Sequence, residues 1–298
     1  MTLVQLRYVL AVAGFQSFSE AAASLCITQP ALSNSIKDLE KELNISIFRR
    51  TSHGIELTSQ GSEFLGYAQK VVMQADLLKD HYSGDRKSTV RFVVSSQHYS
   101  FAVSSFIRLV KIYGMDNYNF CLRETRTMDI IADVHSLAAD IGIIYLSDFN
   151  RRYLTRIFRE QDIVFTPLAS FSPHVFLSRS NPLAAKNVIT MADLAAYPFI
   201  CFEQGNFGNE FLAEELAVDR AGNKVIRVSD RATLFNLLLG LNGYTIASGV
   251  IEKELNPEIA SVPLDAVEKM EIGVIRHNSV EPGGIFNQYV NFLKEALI

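Results

Sequence analysis

The stretch from Ser17 to Leu43 leaves this chain few choices. Ser17-Phe18-Ser19-Glu20 has the form of a capping box, in which the hydroxyl takes the third backbone N–H and the carboxylate reaches back. The helix it opens, Ala21-Ala22-Ala23-Ser24-Leu25, carries small side chains, so a second helix can cross it closely. Cys26-Ile27 makes the turn. Thr28 caps the next helix, and Pro30 is tolerated in a first turn, where N–H groups lack intrahelical partners. Leu32, Ile36, Leu39 and Leu43 form its apolar stripe. Two short helices with a tight turn between them are a helix–turn–helix, a unit used both structurally and for reading DNA. Leu3, Leu6, Val9, Leu10 and Ala13 predict a helix before it that stops at Gly14. Phe48-Arg49-Arg50 and Ile55-Glu56-Leu57 predict a small hairpin after it, with its turn at Ser52-His53-Gly54.

From Thr58 to about Tyr82 one long helical pattern follows. Phe64, Ala68, Val71, Ala75, Leu78 and Tyr82 alternate steps of 4 and 3, a heptad seam that would pair two chains. Ser83-Gly84-Asp85-Arg86-Lys87-Ser88 is polar and turn-forming, hence a boundary. Beyond it strands and helices alternate, from Val90-Arg91-Phe92-Val93-Val94 to Tyr244-Thr245-Ile246-Ala247, with Phe211 to Leu216 read as helical. That alternation predicts mostly parallel sheets covered by helices. The expected domains are 1–57, a linker and dimerisation helix over 58–88, and an α/β region over 89–298.

Composition narrows the function. With 298 residues, 48% hydrophobic and 20% charged, the chain suits about two globular domains. No apolar run reaches the ~18 residues of a membrane span, and the start lacks the form of a signal peptide. Three scattered cysteines argue against a disulfide framework and for a reducing cytoplasm. The net charge is −4, and residues 1–87 balance 9 Lys and Arg against 9 Asp and Glu. A DNA reader with so neutral a head must place its cations locally. No dinucleotide, P-loop, nucleophile-elbow or zinc-protease motif is present, and the six histidines show no metal-ligand spacing. We therefore expect no enzyme activity, no cofactor and no metal.

Gln29, Ser33, Asn34 and Lys37 lie off the apolar stripe at the start of the second helix of the motif, where major-groove readers place base contacts. Thr28 precedes them, and Pro30 lies between Gln29 and Ser33. Arg49, Arg50 and His53 follow on the wing, placed for phosphates.

The run Phe18-Ser19-Glu20-Ala21-Ala22-Ala23-Ser24-Leu25, then Thr28-Gln29-Pro30-Ala31-Leu32-Ser33, Ile36, Leu39-Glu40, Leu43, Phe48, Arg50 and Leu57-Thr58 resembles the N-terminal signature of the LysR-type transcriptional regulators. Asn34 stands where that family often has Arg, and Gly249 near where many members carry Pro. The resemblance implies a winged helix–turn–helix, a linker helix and a periplasmic-binding-protein-like domain of two α/β subdomains, the first over about 89–161 and 267–298, the second over about 162–266. It further implies a homodimer or homotetramer, double-stranded promoter DNA as partner, a small-molecule effector between the subdomains, and RNA polymerase as partner if the protein activates. The rival class is a ligand carrier or enzyme of the same fold whose first helices serve only for assembly.

In such a fold the ligand loops leave strand ends. Ser95, Ser96, Gln97 and His98 leave the first strand of the α/β region, and Arg126 and Thr127 follow the second. Tyr145 lies near the crossover, and Phe202, Glu203 and Gln204 form the matching loop of the second subdomain. Helix N-termini beside Arg126 predict an anionic metabolite, such as a carboxylate or sulfate, with a neutral apolar ligand as the alternative, because the loop of the second subdomain supplies Phe202 and Phe207.

Overall fold

The structure is a computed structural model that describes residues 1–51, 54–82, 90–113, 117–205, 210–216, 224–252 and 256–298, with the side chains of 50, 51, 54, 70, 73, 77 and 80–82 outside the description. Met1–Ser88 and Thr89–Ile298 form two compact units.

In the first unit the Thr2 hydroxyl accepts from the Gln5 N–H while the Gln5 side chain accepts from the Thr2 N–H, closing a capping box on helix α1 (Leu3–Phe15). The helix runs through Gly14. Gln16, with a left-handed φ of 51°, ends it instead. Helix α2 (Phe18–Ser24) starts where the Ser17 hydroxyl accepts from the Glu20 N–H. Cys26 turns the chain at φ 55°, and α3 (Gln29–Leu43) begins on the Thr28 cap and ends at left-handed Asn44. Leu32, Ile36 and Leu39 pack on Val9 and Val12 of α1 and Ala21 and Ala22 of α2, all buried. The antiparallel strands β1 (Phe48–Thr51) and β2 (Gly54–Leu57) form the wing.

Helix α4 (Ser59–Tyr82) follows. A Cβ on Gly61 would overlap the Ile47 carbonyl, so a glycine there lets α4 start against the wing root. The heptad seam divides in the structure. Phe64 and Ala68 join Val72 against Leu6 and Leu10 of α1, whereas Val71 is 45% and Leu78 62% exposed. The Tyr82 side chain lies outside the description.

Among its described residues the second unit holds two five-stranded sheets. Along the chain its elements are β3 (Val90–Ser96), α5 (Ser100–Tyr113), β4 (Tyr118–Glu124), α6 (Thr127–His135), β5 (Ile141–Leu146), α7 (Arg151–Glu160), β6 (Ile163–Phe171), β7 (His174–Ser178), α8 (Met191–Leu194), β8 (Phe199–Phe202), β9 (Val225–Val228), α9 (Arg231–Leu241), β10 (Tyr244–Ala247), β11 (Ile259–Pro263), β12 (Met270–His277) and α10 (Gly284–Ala296). The first sheet is ordered β4-β3-β5-β12-β6 and the second β11-β7-β10-β8-β9.

Both sheets are mixed, which corrects the expectation of mostly parallel pairing: β12 runs antiparallel to β5 and β6, and β7 antiparallel to β10 and β11. The expected subdomain boundary near 161 also moves. Strand β6 bonds β12 from Ile163 to Phe171, so the chain crosses to the second sheet only after Phe171. Residues 211–216 are not one helix. A short 3-10 turn, Glu210–Leu212, precedes irregular backbone through Leu216.

Candidate functional site

Helix α3 turns its stripe inward and so presents Asn34 and Lys37 to solvent, with Gln29 half-buried at its start. Thr28 and Pro30 are exposed, and the Thr28 hydroxyl accepts from the Ala31 N–H. Ser33 departs from its expected place on the open face. It is 8% exposed, because at about 100° per residue it falls on the flank beside Leu32 and Ile36. On the wing, Arg49 pairs with Glu56 across the two strands at 2.8 Å, so part of its charge is already balanced. The Arg50 side chain and all of His53 lie outside the described residues.

In the second unit the loops expected to hold a ligand do meet, but many of their polar groups face the chain's own. Ser95 turns away from the junction, and its hydroxyl donates to Asp133 on α6 at 2.6 Å. The Ser96 hydroxyl donates to the Gln97 carbonyl. Gln97 is a buried hub: its amide donates to the Thr127 hydroxyl at 2.8 Å, and its carbonyl accepts from the Tyr99 hydroxyl and the Tyr145 N–H. Thr127 passes the chain onward, donating to the Leu212 carbonyl at 2.8 Å. The Tyr145 hydroxyl contacts the carbonyls of Ala213 and Glu215. The two subdomains are thus joined through residues 212–215.

The donors proposed for an anion are taken. The Thr127 N–H at the start of α6 donates to the Gln204 side-chain carbonyl at 3.0 Å. Arg126 is ion-paired with Glu203. The His98 N–H donates to the Glu214 carboxylate at 2.9 Å, and the His98 ring Nδ1 meets the same oxygen at 2.9 Å. The other Glu214 oxygen accepts from the Gln204 amide. Glu214 therefore sits where an anionic ligand was expected.

Beside it lies a cavity of about 40 Å³ at the junction of the subdomains. His98, stacked on Phe202 with ring centroids 3.8 Å apart, forms one wall. Glu215, Arg231, Phe235 and Thr245 line the rest. Of the residues expected from sequence, His98 and Phe202 line this cavity. Glu214, Glu215 and Arg231 were not singled out. The only sequence signal for the two glutamates is their place inside the otherwise apolar segment Phe211-Leu212-Ala213-Glu214-Glu215-Leu216, and Arg231 carries none.

The electrostatics are unusual for a carboxylate pair. Glu215 is 4% exposed. One of its oxygens accepts from the Phe202 N–H at 2.8 Å, and Oε2 has no hydrogen-bond partner among the described residues. Burial, reinforced by the neighbouring Glu214 charge, pushes its pKa well above the usual carboxylate range. Burial opposes the His98 charge, yet the bond to Glu214 and the charges of Glu214 and Glu124 leave its pKa raised. Arg231 faces Glu124 at 3.2 Å. Among the described residues no group of three His, Cys, Asp or Glu side chains is placed to hold a metal ion. No helix among them is long and apolar enough to cross a membrane.

A winged helix–turn–helix head carried with a two-subdomain α/β unit is the architecture of a ligand-responsive DNA-binding protein. The comparisons make this specific. The model of the bacterial regulatory helix-turn-helix proteins of the lysR family matches residues 3–62, and that of the LysR substrate binding domain matches residues 117–298. The chain belongs to the LysR family. It is a DNA-binding transcriptional regulator with an effector-binding domain, and its relatives carry the names of regulators and not of enzymes.

It is 24% identical to the HTH-type transcriptional regulator AlsR of Bacillus subtilis, over 98% of this chain and 95% of that one. It is 25% identical to the RuBisCO operon transcriptional regulator of Allochromatium vinosum, over 86% and 82% of the two chains. Among solved structures it is similar to full-length CbnR complexed with its target DNA, with a TM-score of 0.67, 18% identity, and 99% and 100% of the chains covered. At that identity the likeness is one of fold.

Proposed function

We propose that this protein reads promoter DNA through α3 as a homo-oligomer in the cytoplasm, that a small effector held between the two α/β subdomains alters its DNA affinity, and that it contacts RNA polymerase where it activates. The observation that carries the effector reading is the junction cavity, bounded by His98 from the first subdomain and by Phe202, Arg231 and Thr245 from the second. A ligand touching both subdomains can favour one of their arrangements over another, which is all that an effector needs to do. The geometry supports a small effector without supporting the anion expected from sequence, since Glu214, Gln204 and Glu203 already occupy the donors. For DNA reading, Gln29, Asn34 and Lys37 are the side chains we assign to base edges, with Ser33 at the margin of that face.

The test is a fluorescence titration of duplex DNA from promoter regions. Affinity is expected to fall steeply with salt. Alanine at Gln29, Asn34 or Lys37 is expected to cost about 1–3 kcal/mol wherever the side chain makes a good base contact, and to relax preference at one position. Alanine at all three with unchanged affinity and preference would overturn the assignment. For the effector, Ser248→Leu, which fills the cavity, should keep DNA affinity while abolishing its response to small-molecule extracts of the cell.

A further inference from the structure

Two adjacent glutamates at the junction cavity, both at least nine-tenths buried, set a constraint on what can enter it. Glu214 has three donors: the His98 N–H, the His98 ring and the Gln204 amide. Glu215 accepts from the Phe202 N–H at 2.8 Å, its own and the Glu214 backbone also lean on the carboxylate, and its Oε2 is left without a hydrogen-bond partner among the described residues. Leaving such an oxygen buried and unmatched is costly, and a carboxylate so placed keeps its proton unless a cation joins it. The cations nearby are already engaged, Arg231 with Glu124 and His98 with Glu214. The remaining walls suit a cation too. Phe176, Phe202 and Phe235 line the space, and aromatic faces attract an ammonium group. An anion would meet the Glu214 carboxylate instead.

We propose that the junction cavity receives the ammonium group of a small amine, with Glu215 as its counter-ion. This rests on the reading of the cavity as the effector site and names the class of effector. The space, about 40 Å³, suits a small headgroup. Binding exchanges a proton for the ammonium: the neutral Glu215 carboxyl releases its proton to solvent, and the resulting carboxylate accepts from the amine N–H groups. The charged and titratable groups around it are Glu214, His98 and Tyr99, Tyr145, Cys201, and Arg231. Because the Glu215 carboxyl must give up its proton when the ammonium binds, higher pH favours binding, and deprotonation of His98, whose pKa is also raised, acts in the same direction.

The test uses the full chain with methylammonium and ethylammonium chloride as probes, and sodium acetate and sodium chloride as controls, by calorimetry and thermal shift. The amines should bind, release protons, and bind at least tenfold more tightly at pH 8 than at pH 6. Glu215→Gln, nearly the same shape, should weaken them at least tenfold. Amine binding that is independent of pH in the wild type would overturn the proposal even if the variant failed to fold. Acetate binding without amine binding would also overturn it, and acetate that shifted DNA affinity would leave the effector reading intact. Amine binding that depends on Glu215 and leaves DNA affinity unchanged would support the ammonium site and overturn the effector reading.

Discussion

At the residue scale the proton on Glu215 contributes to how this protein responds to pH. Its pKa is raised in the folded chain by burial and by Glu214, while in the unfolded chain it returns to the ordinary carboxylate range. Below that range both states hold the proton, and the folded state pays no penalty. As pH rises through it, the unfolded chain ionises first, so stability is lost progressively up to the raised folded value. His98 adds a loss of the same sign, since its folded pKa is also raised. Glu215→Gln should therefore match the wild-type melting temperature near pH 4 and exceed it at pH 8, a difference that calorimetry at several pH values measures. A gap independent of pH would assign Glu215 a purely packing role. None of this was legible from sequence. His98 and Phe202 could be named because they lie at or just beyond strand ends, whereas Glu214 and Glu215 lie on irregular backbone whose position depends on bonds to Thr127 and Tyr145, far away in the chain. Cys201 is a further case at this scale: burial, with the charge of Glu215, pushes its thiol up to about 12. A thiol reagent should modify exposed Cys26 in the native protein and leave Cys201 untouched until the chain unfolds.

At the element scale, helix α4 packs one stripe on its own unit and leaves the neighbouring stripe open. Its Phe64, Ala68 and Val72 face α1 of its own unit, which removes Phe64 and Ala68 from the seam read in the sequence. Val71 and Leu78 remain exposed on the neighbouring stripe. A heptad pattern shows that apolar residues recur on a helix face, but it does not say whether the same chain or a second one covers them. The helix boundaries were more legible, because caps are local: Ser17 and Thr28 each hold the N–H three residues on. Gly14 was misleading, since a glycine with ordinary φ is tolerated within a helix and the left-handed Gln16 makes the stop. The prediction at this scale is assembly. Val71→Glu with Leu78→Glu should leave each chain folded, because neither side chain belongs to a core, and should abolish the oligomer by placing charge in the paired seam. Light scattering should then report a monomer with native circular dichroism. An oligomer of full size would place the interface on another element.

At the scale of the α/β unit, the two sheets are tied by a chain of buried bonds that crosses between subdomains. The Gln97 amide donates to Thr127, and Thr127 donates to the Leu212 carbonyl. The Arg126 to Glu203 pair lies beside them but is well exposed to solvent, where such pairs contribute little. Thr127→Val keeps shape and burial while removing both bonds, leaving the Gln97 amide and the Leu212 carbonyl unmatched. The cost should be about 1–3 kcal/mol. Arg126→Ala should cost much less. Because the bond to Leu212 joins the subdomains and the bond from Gln97 links two loops of the first, and neither holds a sheet together, the effect should be local. Hydrogen exchange should accelerate at 125–128 and at 212–216 in the valine variant, with β3, β5 and β12 still protected. If the effector works by favouring one arrangement of the subdomains, Thr127→Val should also shift DNA affinity in the absence of any ligand and shrink the further change that ligand brings. Uniform loss of protection across both sheets would instead make Thr127 a core residue whose removal unfolds the unit. An unchanged exchange pattern would show that the Ala213, Glu214 and Glu215 contacts hold the junction closed without it.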